Sequence, residues 1–229
     1  MTEKEKIWFA GLSVATLGLA TLIILYRREI KGGLSSFKKS ILDIANNEWK
    51  EWNPNGERIK EGDKRTFDKL KSYWLDGAKA TWYTEKMMVN EAWSSAFISW
   101  VMNKGGAGNQ FPRTASHSEY IRESVKNRKE NNTNPFKGYK VNEPEAKVGL
   151  GDLVCYPRQA NVGYETTSSY KSHCDLITEI RDLEATSIGG NVSNSVTKTI
   201  VPLTKDGYID KNRDKKGYGG YFVVIKNKK

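Results

Sequence analysis

The feature that most constrains this chain is a single change in the period of its apolar residues. Up to about residue 105 they recur at helical spacing: Phe37, Ile41, Ile44, Ala45 and Trp49, then Phe67, Leu70, Tyr73 and Trp74, then Trp93, Phe97 and Trp100. "NPNGE" breaks the first pattern, "LDGAK" ends the second with Gly77 as C-cap, and Gly105-Gly106 stops the third. Downstream, "GDLVCYP", "HCDLITEI", "ATSIGGNV", "TKTIVPL" and "GGYFVVI" are short, β-rich and separated by turn residues. Helices followed by strands predict an α+β domain with helices packed on an antiparallel sheet. "RKENNTNPFKGYKVNEPEAK" reads as a polar connector between the halves.

Ahead of this domain, Ile7 to Tyr26 holds twenty residues without a charge, flanked by Lys4 and Lys6 on one side and Arg27 and Arg28 on the other. At about 1.5 Å per residue such a run matches a hydrocarbon core, and Trp8 and Tyr26 suit its two interfaces. The expectation is an uncleaved single-pass anchor in residues 1–33, contacting the bilayer through Ile7–Tyr26, then a domain over residues 34–229. Arg27, Arg28 and Lys31 lean towards a cytoplasmic main domain.

The formal net charge is +10. That balance favours anionic partners, an anionic cell-wall polymer or lipid among them. No helix-turn-helix, RNP or zinc-finger pattern is present, so no nucleic acid is expected. Two cysteines, Cys155 and Cys174, cannot build a four-ligand metal site, and neither metal nor cofactor is expected. They are either small buried residues or a disulfide across neighbouring strands.

The chain has two histidines, His117 and His173, which narrows any general-base argument. Strand alternation places His173, Asp175 and Ile177 on one face and Cys174, Leu176 and Thr178 on the other. Ser94 stands at the start of the third helix, where free N–H groups stabilise developing negative charge. A hydroxyl there, His173 on a strand and Asn191 on the next would divide labour as a nucleophilic triad does. Asp175, sharing the face of His173, is the alternative third member. Ser94 acting only as a helix cap is the plain structural alternative. Glu91 reads as first-turn dipole compensation, and His117 as an ordinary helix-start histidine that could line the cleft. A glycosidase would need two facing carboxylates; Glu48, Glu57 and Glu61 stand near a helix break, where charged residues are usually solvated.

"WSSAFISWVMNKGG" resembles the Trp-Cys-Ala-Ala-Phe helix of CHAP-type and NlpC-type papain-like amidases, which cut peptidoglycan. "GDLVCY" resembles their Gly-Asp strand, "SHCDLITEI" their histidine strand and "IGGNVSNSV" the strand that follows. Trp49, Tyr73-Trp74, Trp93 to Phe97, "FPRTASHSEYI" and "SHCDLI" together are closer still to an uncharacterised branch with serine at the cysteine position. The resemblance implies a papain-like domain over roughly Phe37 to Val224. It implies Ser94, His173 and Asn191 or Asp175 as catalytic residues, with Trp93, Ser95 and His117 lining the substrate site. The expected function is a membrane-anchored peptidoglycan amidase or endopeptidase, bacterial or carried by a virion for entry or lysis. The alternatives are an inactive tethered module binding wall or a partner, and a cytoplasm-facing structural protein.

Overall fold

The computed structural model describes residues 33–229. Within them the order is α1 (Ser36–Glu51), α2 (Phe67–Ser72), α3 (Glu85–Asn90), α4 (Ser94–Lys104), α5 (His117–Lys129), β1 (Phe136–Lys140), β2 (Leu153–Pro157), β3 (Ser172–Arg181), β4 (Glu184–Gly189), β5 (Thr197–Pro202) and β6 (Val223–Asn227). The sheet is antiparallel throughout, in the order β1-β6-β2-β3-β4-β5. The α+β class with an antiparallel sheet stands.

The membrane part of the expectation is corrected. No helix among the described residues is long and apolar enough to cross a membrane, and Ile7–Tyr26 lies outside those residues. The single-pass anchor and membrane localisation expected from the sequence are therefore not supported.

The first helix forms where the period placed it. Ser35 caps it by accepting the Lys38 N–H at 3.3 Å, and Phe37, Ile41 and Ala45 turn inward. Helix α2 runs into a π-helical turn, Tyr73–Gly77, that delivers Tyr73 and Trp74 to the core. Gly77 is needed there for proximity. A Cβ would come 2.4 Å from the Ala96 carbonyl oxygen in α4, and the residue after it, Ala78, stays right-handed. So Gly77 permits close packing and is not a left-handed cap.

Trp93 is fully buried and stacked between Trp52 and Tyr73, with ring centroids 5.0 and 5.6 Å away. Three such rings contribute several kcal/mol of apolar burial to the helix–helix seam. Glu48 breaks the expectation that it would be solvated: it is buried, accepts from Lys69 Nζ at 2.9 Å and from the Tyr73 hydroxyl. Tyr73 and Lys69 supply the donors that make a buried carboxylate tolerable.

One face of the sheet, with Leu153, Cys155, Cys174, Leu176 and Ile188, packs on the helices. The other, with Val154, Ile177 and Val224, is covered by the segments around Ala146 and Leu203. The polar connector contains a strand. β1 pairs with β6, and Gly138 lets α5 approach so closely that a Cβ would meet Ser124 Oγ at 2.7 Å. Its apolar residues, Phe136 and Tyr139, are too few for alternation to reveal it.

Candidate active site

Two helices begin at the site. Ser94 is the first residue of α4 and His117 the first of α5, and Ser94 Oγ lies 2.6 Å from His117 Nε2. Both are buried, at 4% and 6% exposure. The N-cap position of α4 is Trp93, and no side chain caps it. The Ser94 hydroxyl is thus spent on the histidine, not on its own helix. The first helical bond, from Phe97 N to the Trp93 carbonyl at 2.9 Å, leaves the Ser94 and Ser95 amides without helical partners. α4 has no acidic residue in its first turn, and Glu91 ends α3 instead, where it is exposed.

Ser95 Oγ donates to the Thr114 carbonyl, at 3.1 Å, and so is held beside Ser94. The second ring nitrogen of His117, Nδ1, is hydrogen-bonded to the Tyr120 hydroxyl. In the tautomer with the proton on Nδ1, Tyr120 accepts it and Nε2 presents a lone pair to Ser94 Oγ–H, the arrangement a general base needs. Burial, and then the charges of His173 and Arg158, hold the His117 pKa well below its ordinary value, so the ring is neutral at neutral pH.

His173 occupies the strand position expected of it, on β3 opposite Tyr156 of β2. Its ring centroid is 5.0 Å from that of His117 and 5.2 Å from that of Tyr156. Its Nε2–H donates to Asp175 Oδ1 at 2.8 Å; Nδ1 is buried with no protein partner among the described residues, and Asp175 Oδ2 likewise. Both residues share the face that alternation assigned. The backbone at the end of β4 makes room: a Cβ on Gly189 would fall 1.8 Å from Asp175 Oδ1 and 3.1 Å from His173 Nε2.

The structure therefore brings together Ser94, His117 and Ser95, and separately His173 with Asp175, the two groups meeting at the imidazoles. Asn191 makes no hydrogen bond to His173. β4 ends at Gly189, and Asn191 sits beyond it in a turn with φ 54°. A Cβ on Gly190 would lie 2.5 Å from Phe97 and 2.8 Å from Trp93, and this close approach ends the strand there. Trp93 is buried in the core, its Nε1–H donating to Glu61 Oε2 at 2.5 Å, and so does not face a ligand. Sequence reasoning missed Tyr120 and Gly189. Tyr120 had a signal: in "SHSEYI" it follows His117 by three residues, on the same helical face.

Cys155 and Cys174, one residue from Tyr156 and His173 on opposite strands, form a disulfide with Cα atoms 4.1 Å apart. The open alternative between pairing and simple burial is thus decided, and the bond ties β2 to β3 beside the histidine. Among the described residues no cluster of His, Cys, Asp and Glu fits a metal ion.

Fold and site together define an α+β domain with a buried serine–histidine centre at the joint of two helix starts and a sheet. Residues 62–226 match a family described as uncharacterized protein conserved in bacteria, DUF2272, and the chain belongs to that family. Comparison with curated proteins and with solved structures found no match.

Proposed function

We propose that this domain is a serine hydrolase of amide bonds in bacterial cell-wall peptidoglycan, acting through an acyl-enzyme on Ser94. The observation that carries the reading is the buried contact of Ser94 Oγ with His117 Nε2 at 2.6 Å, the other ring nitrogen being engaged by the Tyr120 hydroxyl. Ser94 Oγ attacks the amide carbon as its proton passes to His117 Nε2. The free Ser94 and Ser95 amides, at the positive end of α4, receive the oxyanion. The imidazolium returns the proton to the leaving nitrogen, the C–N bond breaks, and a water activated by the same ring hydrolyses the ester to a carboxylate. His173, fixed by Asp175, walls the centre and orients the His117 ring. The wall as substrate is supported by the resemblance of the four motifs to papain-like amidases and by a net charge of +10 suited to an anionic polymer.

The test is digestion of purified peptidoglycan by the full-length protein beside Ser94→Ala and His117→Ala. Released peptides or new amino groups, lost in both variants, support the reading and identify the bond; no release from sacculi of several wall types by folded protein overturns it. A second reading, a wall- or partner-binding module without turnover, is favoured by the burial of Ser94 at 4% exposure. It predicts sacculus binding that Ser94→Ala leaves intact, with no product.

A further inference from the structure

Three cations stand about Tyr156, whose ring lies 5.2 Å from that of His173, and none of their side chains forms an ion pair among the described residues. Arg158 follows β2, and its N–H bonds the Lys171 carbonyl at 2.8 Å, so the β2–β3 pairing continues one step and sets Arg158 opposite Lys171. Alternation then puts both side chains on the face of Tyr156 and His173. Lys216 comes from a distant loop and lies over the Tyr156 ring at 5.6 Å. That loop is pinned: Tyr218 N–H donates to the Pro157 carbonyl at 3.0 Å, and a Cβ on Gly217 would fall 2.1 Å from the same oxygen.

Like charges directly opposite on paired strands are destabilising. Here a third is added over the intervening tyrosine, although carboxylates are employed freely elsewhere on the surface, as in Lys129–Glu165 and Arg213–Asp210. The Arg158 charge reaches inward as well: it disfavours protonation of His117 and favours ionisation of Tyr156. The starts of α4 and α5 add two further positive ends. Arg158 and Lys171 are exposed and Lys216 half-buried, so all three are available to a ligand.

The geometry points to a carboxylate-binding subsite at this rim, formed by Arg158, Lys171 and Lys216, which selects ligands bearing a free carboxylate close to the bond presented to Ser94. The subsite rests on the hydrolase reading only in having a scissile bond at Ser94; carboxylate binding itself does not require turnover. A planar guanidinium suits a carboxylate in a two-pronged bond, and the lysines add charge without fixing orientation.

The two histidines of the chain both lie here, so their imidazole proton resonances report on this site alone. The full-length protein would be titrated with N-acetyl-dialanine and with its C-terminal carboxamide, following those resonances. The free acid should bind about 10-fold tighter than the amide, the worth of one charge-assisted hydrogen bond, and added salt should narrow the gap. Arg158→Gln should erase that preference, and Lys216→Gln should reduce it. Equal binding of acid and amide, a preference that survives the Arg158→Gln, Lys216→Gln double variant, or no resonance shift with either probe would overturn the subsite. Acid-selective binding with no peptidoglycan digestion would remove the hydrolase reading and leave the subsite standing. Digestion without acid selectivity would do the reverse.

Discussion

His117 and His173 have ring centroids 5.0 Å apart, yet they are held by opposite means. His117 stands at a helix start among neutral hydroxyls, Ser94 on one nitrogen and Tyr120 on the other. His173 stands mid-sheet with a carboxylate on Nε2 and, among the described residues, nothing on Nδ1. A neutral partner set in a buried place leaves a base that is unprotonated and ready; a carboxylate partner fixes a ring and its tautomer. The comparison teaches that the histidine nearest the hydroxyl in space is the one whose surroundings suit proton abstraction. The histidine that the papain-like resemblance nominates is the one built to be rigid.

The sharpest way to break this contrast is to remove each ring. His117→Ala should lower hydrolysis by about 10⁶-fold, the usual cost of losing the base of a nucleophilic pair. His173→Ala should cost only about 10–100-fold, through a less well-held His117. Kinetics on released peptides decides it. The reverse order would return the base role to His173 and make His117 the supporting residue.

The next effect falls on the framework. Reducing the Cys155–Cys174 bond, which closes a sequence separation of 19 residues, should remove about 3 kcal/mol of stability on the loop-closure estimate. Because the bond lies beside His173 and away from the Ser94–His117 contact, denaturant unfolding with and without reductant should show the loss. Residual activity of the still-folded reduced protein should stay near that of the oxidised form. A reduced protein that is stable but inactive would mean that His173 matters more than the contrast allows.

Gly189→Ala sharpens the comparison further. Its Cβ would fall 1.8 Å from Asp175 Oδ1 and must push the carboxylate off His173, yet Ser94 is not among the atoms it meets. A destabilisation of about 1–3 kcal/mol is expected, as for overpacking in a core, with an activity loss no larger than that of His173→Ala. Denaturant midpoints and initial rates measured together separate the two effects.

How much of this could be read in advance follows from the range of each contact. The start of α4 at Ser94 and the common face of His173 and Asp175 are local matters of period and alternation, and the residues declare them. The bond between Ser94 and His117 joins residues 23 apart through the packing of two helices, which no periodicity reports. The Cys155–Cys174 bond depends on the β2–β3 register, and two isolated cysteines do not specify one. Asn191 looked like strand because "IGGNV" is apolar enough. What ends β4 is the tight seat of Gly190 against Phe97 and Trp93, followed by positive φ at Asn191, Ser193 and Asn194. β1 was hidden for the opposite reason, a short strand whose burial comes from α5 lying over it.

The smallest predicted effect is the one that tests the electrical side of the contrast. His117 is held well below 6.5 first by burial, then by the charges of His173 and Arg158. Below about pH 6.5 the unfolded chain takes up a proton on this residue that the folded protein refuses, so stability falls as pH drops from there towards the folded value, and is level above it. Hydrolysis should keep its full rate through pH 6.5 and lose it only at lower pH, where Nε2 finally protonates. Arg158→Gln removes the last and least of the three causes, so the acid limb and the His117 imidazole titration should both move up slightly, towards the ordinary value. Imidazole resonances followed against pH in the two proteins measure it. A wild-type His117 that titrates at 6.5 or above would mean a ring open to water or paired with an anion, and the distinction between a bare, neutral base and a carboxylate-held partner would no longer stand.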